Sequence, residues 1–369
     1  MIKIERTFWP VGQGAFYSEL FYEEGKPNGL VVYDCGTLSS QKYIKTSIKE
    51  LRQKFDNSSI CKNGGIDIDI LFVSHFHYDH ISGITQLLKV FNIKKIVLPV
   101  IPQEAYADVY LNNYINKRHE GKPTIELLEK FLSDDNNINN TQLLRFADLD
   151  LNGFYSKGFN VLNVDDSNSD FILSKTILKL KDWNYIPYNY PCEQSFELYK
   201  RMKKDYPELL ENIEKREWDK SKTIIEKIGI KQIKKLYVDA YSKDQNEESM
   251  TVLSCSSHES NISEEYCLYT GDSPFRNPNR LSIVKIFYKD FWYKIGLLQS
   301  PHHGAECDNP DCLHDSPRTS VVSYGTKNKY GHPCSRIKND MIINMSRFVL
   351  VTETNKYTQD LCVDYVHEI

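Results

Sequence analysis

The chain has 369 residues, of which 40% are hydrophobic and 26% are charged, and its formal net charge is −4. This composition is typical of a globular protein with a sizeable core, and it excludes wholesale disorder. The acidic balance excludes a global basic field for nucleic acid, although a local basic groove is compatible with it. No apolar run has the length of a membrane span, and MIKIERTFWP lacks the apolar core of a signal peptide. Together with nine scattered cysteines, these features predict a cytoplasmic protein with no membrane partner.

The first hundred residues alternate strand and helix patterns. Runs rich in β-forming residues, broken by glycine turns, predict strands up to about residue 36. Apolar residues at helical spacing predict a helix over 40–56, and a shorter helix is predicted over 81–92. Between and after these helices, strands are predicted to end at Val73 and to cover KKIVLPV. Strands that alternate with helices predict a layered α/β domain.

Residues 101–245 differ from the segments on either side. They contain the polar stretch SDDNNINN and a charged, helical pattern from about 193 to 236. We interpret 101–245 as a largely helical insertion within a single domain that spans 1–369. The insertion is a candidate docking surface for a protein partner. Its lysine-rich patch, Lys200–Lys204, is either a solvated helix face or a contact for a phosphate backbone.

A cluster of metal-binding side chains follows the apolar run ILFV. Within SHFHYDHISG, the residues His75, His77, Asp79 and His80 fall inside six positions. Alternate residues of an extended segment point the same way, so His75 and His77 can reach one ion, and the following turn can reach a second ion. Imidazole and carboxylate donors favour zinc, with manganese or iron as alternatives.

Four donors in one loop cannot complete two metal sites, so further ligands are expected at the ends of other strands. Later strand patterns are closed by LYTGD, QSPHHG and YGHP, which supply Asp272, His302, His303 and His332. Asp34, in VVYDCG, is a candidate to orient a ligand histidine through its free ring nitrogen. For Asp34 and His332 a purely structural role is an equal alternative.

The segment HFHYDH resembles the HxHxDH signature of the metallo-β-lactamase superfamily. The order of PVGQGAFYSEL, VVYDCG, SMTVLSC, LYTGD, SPHHG and SYGTKNKYGHP is similar to that of one branch. This branch includes the hydrolase domain of competence DNA-uptake proteins and the phosphorylcholine esterases. The resemblance implies an αββα sandwich with two metal ions at one edge of its sheets. It also implies the roles of the ligands: His75 and His77 for the first metal, Asp79, His80 and His303 for the second, and Asp272 as the bridge.

Three departures from the family pattern stand out. The stretch DQNEESMTVL lacks the histidine that the superfamily usually has before the strand preceding TGD, so Glu247 or Glu248 is a candidate substitute. Pro10 and Ala15 flank VGQG, where the uptake proteins commonly have aspartates. The third departure is that no transmembrane segments accompany the domain, so we do not expect an uptake channel. Separately, one cluster is either a small structural zinc site or a set of ordinary reduced loop cysteines: Cys307, Cys312, His314 and Cys334.

The sequence therefore predicts a binuclear hydrolase, with two zinc ions as the first expectation and manganese as the second. Asp79 is expected to orient the attacking water, and His302 to stabilise the charge that develops on the substrate. A phosphodiesterase or nuclease is the favoured function, and its substrate is a phosphodiester such as nucleic acid. The alternatives are hydrolysis of a small ester or phosphoester, and an effector or regulatory subunit of a multi-protein assembly.

Overall fold

The computed structural model describes the larger part of the chain in separate ranges. These are residues 2–55, 65–99, 107, 110–111, 114–115, 142–146, 160–163, 171–172, 176–189, 195–215, 217–240, 249–257, 266–305, 308–310, 313, 318–337, 339 and 347–363.

Most of the described strands belong to two large sheets. In chain order the strands are β1 (Ile2–Phe8), β2 (Phe16–Glu23), β3 (Lys26–Cys35), β4 (Ile66–Ile68), β5 (Ile70–Phe72), β6 (Phe91–Ile93), β7 (Lys95–Leu98), β8 (Gln142–Phe146), β9 (Asn160–Asn163), β10 (Phe171–Ile172), β11 (Thr176–Leu180), β12 (Trp183–Tyr188), β13 (Thr251–Ser256), β14 (Tyr266–Tyr269), β15 (Ile295–Gln299), β16 (Thr319–Ser323), β17 (Arg347–Val351) and β18 (Tyr357–Val363).

The two sheets have eight strands each. The first runs β10-β8-β7-β5-β3-β2-β1-β18, and the second runs β17-β16-β15-β14-β13-β12-β11-β9. Each sheet contains both antiparallel and parallel strand pairs. Strands β3, β5 and β7 are parallel in the first sheet, and strands β14, β15 and β16 are parallel in the second. Apolar side chains of both sheets, such as Tyr17, Phe72, Tyr185 and Val252, meet in one cluster between them. The sheets therefore pack face to face.

Helices cover the outer faces of both sheets. Helix α1 (Gln41–Gln53) begins after Ser40, whose hydroxyl accepts a hydrogen bond from the Lys42 amide. Its buried Ile44, Ile48 and Leu51 pack on the outer face of the first sheet. A helix at Pro278–Phe287, named α8 below, packs on the outer face of the second sheet. The resulting helix–sheet–sheet–helix layers confirm the αββα prediction.

The predicted helix over 81–92 is instead two four-residue helices and a strand. Helix α2 covers Tyr78–Ile81, α3 covers Ile84–Leu87, and β6 follows. Gly83 lies between the helices and against Cys35, whose carbonyl oxygen accepts a hydrogen bond from its amide. A Cβ atom at Gly83 would lie 2.8 Å from the Cys35 sulfur, so this close packing requires glycine.

The region 101–245 contributes to the sheets as well as to the helices. Strands β8 and β10 extend the first sheet, while β9, β11 and β12 extend the second, and β12 pairs directly with β13. Four of its helices have described bounds: α4 (Ser195–Asp205), α5 (Pro207–Glu214), α6 (Trp218–Ile228) and α7 (Ile230–Ala240). Helical residues are also described at 107, 110–111 and 114–115. The strand residues within 101–245 are therefore part of the sandwich, and the bounds of the insertion stay a prediction.

The helices α4 to α7 form a small unit with its own apolar core. Buried side chains from each helix meet there, including Met202, Ile213, Ile225 and Ile233. Proline at 207 and a left-handed glycine at 229, with φ of 93°, mark two of the breaks between the helices. None of the described helices is both long enough and apolar enough to cross a membrane.

A charged pair lies between the two sheets. Arg6 and Glu19 are at most 1% exposed, and the Arg6 Nε atom donates to Glu19 at 2.7 Å. The Glu19 carboxylate also accepts hydrogen bonds from the hydroxyls of Tyr185, Tyr269 and Ser254 at 2.6–2.8 Å. Four donors compensate the cost of burying this carboxylate.

Candidate metal centre

The candidate centre lies at the edge where parallel strands of both sheets end. Strand β5 leads into the metal loop, here residues 74–83, while β14, β15 and β16 lead into the turns that carry the remaining candidates. Carboxyl ends of parallel strands meet at one edge of a sheet, so residues distant in sequence converge there.

The first donor set consists of His75, His77 and Asp272. Their donor atoms lie within 4.8 Å of one another, and the His75 Nε2 atom is 3.8 Å from the Asp272 Oδ2 atom. His75 and Asp272 are buried, and His77 is half-buried.

The second donor set consists of Asp79, His80, Asp272 and His303, all buried. The Oδ1 atom of Asp272 is 3.1 Å from His80 Nε2 and 4.0 Å from His303 Nε2, and Asp79 Oδ2 is 3.2 Å from His303 Nε2. Asp272 belongs to both sets and presents one oxygen to each. The structure therefore brings together all six predicted metal ligands, which are His75, His77, Asp79, His80, Asp272 and His303.

The histidine rings are oriented for metal binding through Nε2. The Nδ1 atom of His303 lies 2.9 Å from the Ser323 carbonyl oxygen, which can only accept, so Nδ1 carries the proton. The Nδ1 atom of His80 is 2.7 Å from the Asp34 Oδ2 atom and is assigned the same way. In both rings this leaves the Nε2 lone pair directed into the centre.

Several buried polar atoms at the centre have no hydrogen-bond partner among the described residues. They are His75 Nε2, His80 Nε2 and Asp272 Oδ1. Buried polar atoms are normally satisfied, and these three point into the space shared by the two donor sets. Metal coordination would satisfy all of them, so the residues fit two divalent ions.

The electrostatics of the centre also favour bound cations. Burial lowers the pKa of His80, but the carboxylates of Asp272 and Asp34 outweigh it and raise this pKa well above its usual value. Positive charge is therefore stabilised beside His80 Nε2. Burial and the neighbouring His80 hold the pKa of His75 well below normal, and burial lowers the pKa of His77 to about 4. Both rings are neutral at physiological pH, as metal ligands must be.

Asp34 contacts the metal loop through its carboxylate. Its carboxylate accepts hydrogen bonds from the Ser74 amide, the Ser74 hydroxyl and the His80 ring, each at 2.7 Å. The Ser74 hydroxyl also lies 2.9 Å from His75 Nδ1, so Asp34 acts on His75 through this serine. Asp34 has φ of 56°, a left-handed conformation that its surroundings must enforce.

Ser249 is a functional candidate that the sequence reasoning missed. Its hydroxyl accepts a hydrogen bond from the Asp272 amide at 2.8 Å and lies 3.4 Å from His75 Nδ1. It thereby links the bridging aspartate to a ligand of the first set. The only advance signal was its position in DQNEESM, where the family histidine is lacking. Glu247 and Glu248 lie outside the described residues.

Two glycines allow the loops to approach the metal loop closely. The Ala15 amide donates to the Asp79 carbonyl oxygen at 3.1 Å, and the Gly36 amide donates to the Ala15 carbonyl oxygen at 2.8 Å. A Cβ atom at Gly14 would lie 2.8 Å from the Asp79 carbonyl oxygen, and one at Gly36 would lie 2.5 Å from it. VGQG and DCG therefore brace the backbone that carries Asp79 and His80.

His302 and His332 lie beside the donor sets rather than within them. The His302 Nδ1 atom is 2.6 Å from Asp308 Oδ2, and its Nε2 atom is 3.8 Å from Asp272 Oδ2. Its side chain is 29% exposed. The His332 ring centroid lies 5.2 Å from that of His302. Both residues have a left-handed backbone, with φ of 47° at His302 and 53° at His303. The His302 ring contacts Asp308, whereas the His303 ring contacts Asp79.

The possible structural zinc site stays untested. Three of its members, Cys307, Cys312 and His314, lie outside the described residues. Cys334 is described, and its sulfur accepts a hydrogen bond from the Ile337 amide at 3.4 Å.

Comparison with known protein families gives a match over part of the chain. Residues 21–109 match the model of the metallo-beta-lactamase superfamily, a range that includes β3, Asp34 and the whole metal loop. No curated protein matches the chain significantly.

Three solved structures are similar to this chain at low sequence identity. MEM-A1, a subclass B3 metallo-beta-lactamase from a soil metagenome library, is 11% identical over 80% of this chain and 76% of its own, with a TM-score of 0.33. MIM-1 from Novosphingobium pentaromativorans is 12% identical over 91% and 85%, with a TM-score of 0.32. A diphosphatase from the PhnP family is 10% identical over 98% and 100%, with a TM-score of 0.36.

The narrower resemblance to competence DNA-uptake proteins and phosphorylcholine esterases stays a prediction. The family match covers the first metal loop, and the fold joins that loop to Asp272 and His303 from the second sheet. The superfamily match is thus shown for residues 21–109, and the layers and donor sets around this segment have the fold of a metal-dependent hydrolase.

Proposed function

We propose that the protein is a phosphodiesterase that uses two divalent metal ions. The observation that carries this proposal is the sharing of Asp272 between two adjoining donor sets. When bound, a pair of ions at such a centre supplies a hydroxide near neutral pH and stabilises the attacking and leaving oxygens of a phosphoryl transfer.

Asp79 is the proposed residue that orients the attacking water. One of its oxygens lies 3.2 Å from His303 Nε2, and its backbone carbonyl oxygen accepts a hydrogen bond from the Ala15 amide. Burial raises the pKa of Asp79, but the adjoining His303 and His80 rings outweigh burial and lower this pKa, so the carboxylate is ionised. An ionised carboxylate in this position can accept the proton of the nucleophile.

His302 is the proposed donor to the substrate. Burial alone would lower its pKa, but the charges of Asp272 and Asp308 outweigh burial and raise the pKa to about 9. Asp308 also fixes the ring through Nδ1, which leaves Nε2 at the partly exposed edge of the centre. A cationic donor there suits a non-bridging phosphoryl oxygen, which carries negative charge throughout the reaction.

The donor chemistry favours zinc at the second set, which offers two imidazoles and two carboxylates. The first set offers three donors, one of them shared, so we expect it to bind its ion more weakly and to accept manganese. The cytoplasmic location and a protein partner for 101–245 also stay proposals.

Hydrolysis of two chromogenic substrates by metal-loaded protein tests the proposal. Bis(p-nitrophenyl) phosphate should be hydrolysed, and p-nitrophenyl acetate should be hydrolysed far more slowly. His302→Gln should lower the phosphodiester rate because glutamine lacks the positive charge. Preference for the acetate would contradict the proposal and favour the small-ester alternative.

A further inference from the structure

A wide cleft lies beside the metal centre, between the unit of α4–α7 and the loops at the edge of the sandwich. Its volume is about 620 Å³, and its lining includes Lys234 of α7, Gln13 of the VGQG loop, and Lys327, Lys329 and Tyr330 of the loop after β16. This volume falls within the range of about 300–1,000 Å³ that is typical of ligand sites, which often lie between structural units.

The cleft connects to the metal centre through two aromatic rings. The ring centroid of Tyr330 is 5.8 Å from that of His332, with an angle of 20° between the planes. The His332 centroid is in turn 5.2 Å from that of His302 and 6.3 Å from that of His303. A ligand in the cleft would therefore pass from Tyr330 towards the donor that we assign to the phosphoryl group.

The cleft carries an excess of positive charge. Lys234, Lys327 and Lys329 are exposed, and none of them forms an ion pair with a described residue. Among the described lining residues the only carboxylate is Glu353, and its oxygens accept hydrogen bonds from the Thr326 amide at 3.0 and 3.2 Å. Glu353 thus holds the loop, and the three ammonium groups are available to an anion.

Tyr330 is presented to solvent on a braced loop. Its side chain is 59% exposed, although large aromatic residues are usually covered. The side chain of Asn328 accepts hydrogen bonds from the amides of Tyr330 and His332 at 3.0 and 3.1 Å, and it donates to the His332 carbonyl oxygen at 2.7 Å. An exposed aromatic ring on a braced loop, with lysines around it, is the combination that binds an unpaired base between phosphates.

We propose that this cleft binds single-stranded nucleic acid next to the phosphate that is cleaved. A base stacks on Tyr330, while Lys234, Lys327 and Lys329 contact backbone phosphates on either side. A single strand is specified because a paired base does not present its face for stacking. This proposal rests on the phosphodiesterase function and names its substrate class.

Binding of a labelled strand to metal-loaded protein tests the proposal. The probe is a fluorescent phosphorothioate oligothymidylate of about twelve nucleotides, followed by anisotropy at several salt concentrations. Tyr330→Ala should raise Kd about fivefold or more, the lower limit for the loss of one stacked base. The double variant Lys327→Ala/Lys329→Ala should lower the slope of log Kd against log salt by about 1.4, because each phosphate contact of a single strand contributes about 0.7.

Matched variants outside the cleft provide the controls. Tyr293→Ala removes a tyrosine that is 84% exposed, and Lys89→Ala/Lys289→Ala removes two exposed lysines. Both controls should leave strand binding and bis(p-nitrophenyl) phosphate hydrolysis unchanged. Equal strand affinities for cleft and control variants, or no strand binding by the wild type at low salt, would overturn this inference.

The two proposals fail in different ways. If the wild type hydrolyses bis(p-nitrophenyl) phosphate but the cleft variants bind the strand normally, the strand site is wrong and the phosphodiesterase stands. If the wild type leaves that substrate intact although binding depends on Tyr330, the phosphodiesterase proposal is wrong.

Discussion

The substitution Asp34→Asn separates the support of the metal loop from its metal ligands. Asparagine keeps the volume of the side chain, and it tolerates the φ of 56° better than other replacements. It retains one oxygen for the Ser74 amide, but it places an NH₂ group against His80 Nδ1. An NH₂ group cannot accept the His80 proton, so the tautomer with the proton on Nε2 becomes favoured. That proton blocks the ring nitrogen that faces Asp272.

The expected result is a loss of metal affinity of about 10–100-fold, which is the usual effect of removing such a supporting partner. This loss corresponds to about 1.4–2.7 kcal/mol. Zinc competition against a fluorescent chelator measures it directly. Asp69→Asn is the matched control, since Asp69 is a buried carboxylate that accepts from the Leu30 amide at 2.9 Å, away from the donor sets. Equal zinc affinities for the wild type and Asp34→Asn would refute the assigned role of Asp34.

Three further substitutions test the centre, its packing and the core. Asp79→Ala should lower phosphodiester hydrolysis more than about a hundredfold without lowering the melting temperature of the metal-free protein; retained activity would show that Asp79 is not catalytic. Gly36→Ala should destabilise the protein by about 1–3 kcal/mol in urea unfolding and weaken zinc binding, because the added Cβ atom would lie 2.5 Å from the Asp79 backbone. Arg6→Met should cost about 3 kcal/mol, at the lower end for breaking a buried ion pair, because three hydroxyls still donate to Glu19. Lys3→Met, on the same strand but at an exposed pair, should cost less than about 1 kcal/mol, and similar losses for the two would contradict the buried-pair argument.

Metal ligands and helices that have a clear pattern in the local sequence could be predicted. His75, His77, Asp79 and His80 lie in one short segment after an apolar strand, and the geometry of an extended chain already divides them between two ions. Asp272 and His303 follow strands and stand in glycine turns, so they could be assigned to the same sheet edge. The amphipathic helix over 40–56 was equally clear, and α1 confirms it over Gln41–Gln53.

Features set by tertiary contacts were not predictable. Beyond its position in DQNEESM, Ser249 has no local signal, because its role depends on the Asp272 amide and the His75 ring, which come from other parts of the chain. The strands within 142–188 depend on pairing across the sheets, so the sequence pattern alone assigns them to the insertion. The buried position of Arg6 could not be foreseen either, since it depends on Glu19 and on two tyrosines of the second sheet.

The most direct test of the binuclear centre is anomalous diffraction from crystals of protein loaded with zinc or manganese. We expect two peaks on either side of Asp272, each about 2.0–2.2 Å from its nitrogen and oxygen ligands. One should lie beside His75 and His77, and the other beside Asp79, His80 and His303. A single peak, or peaks away from these side chains, would contradict the account.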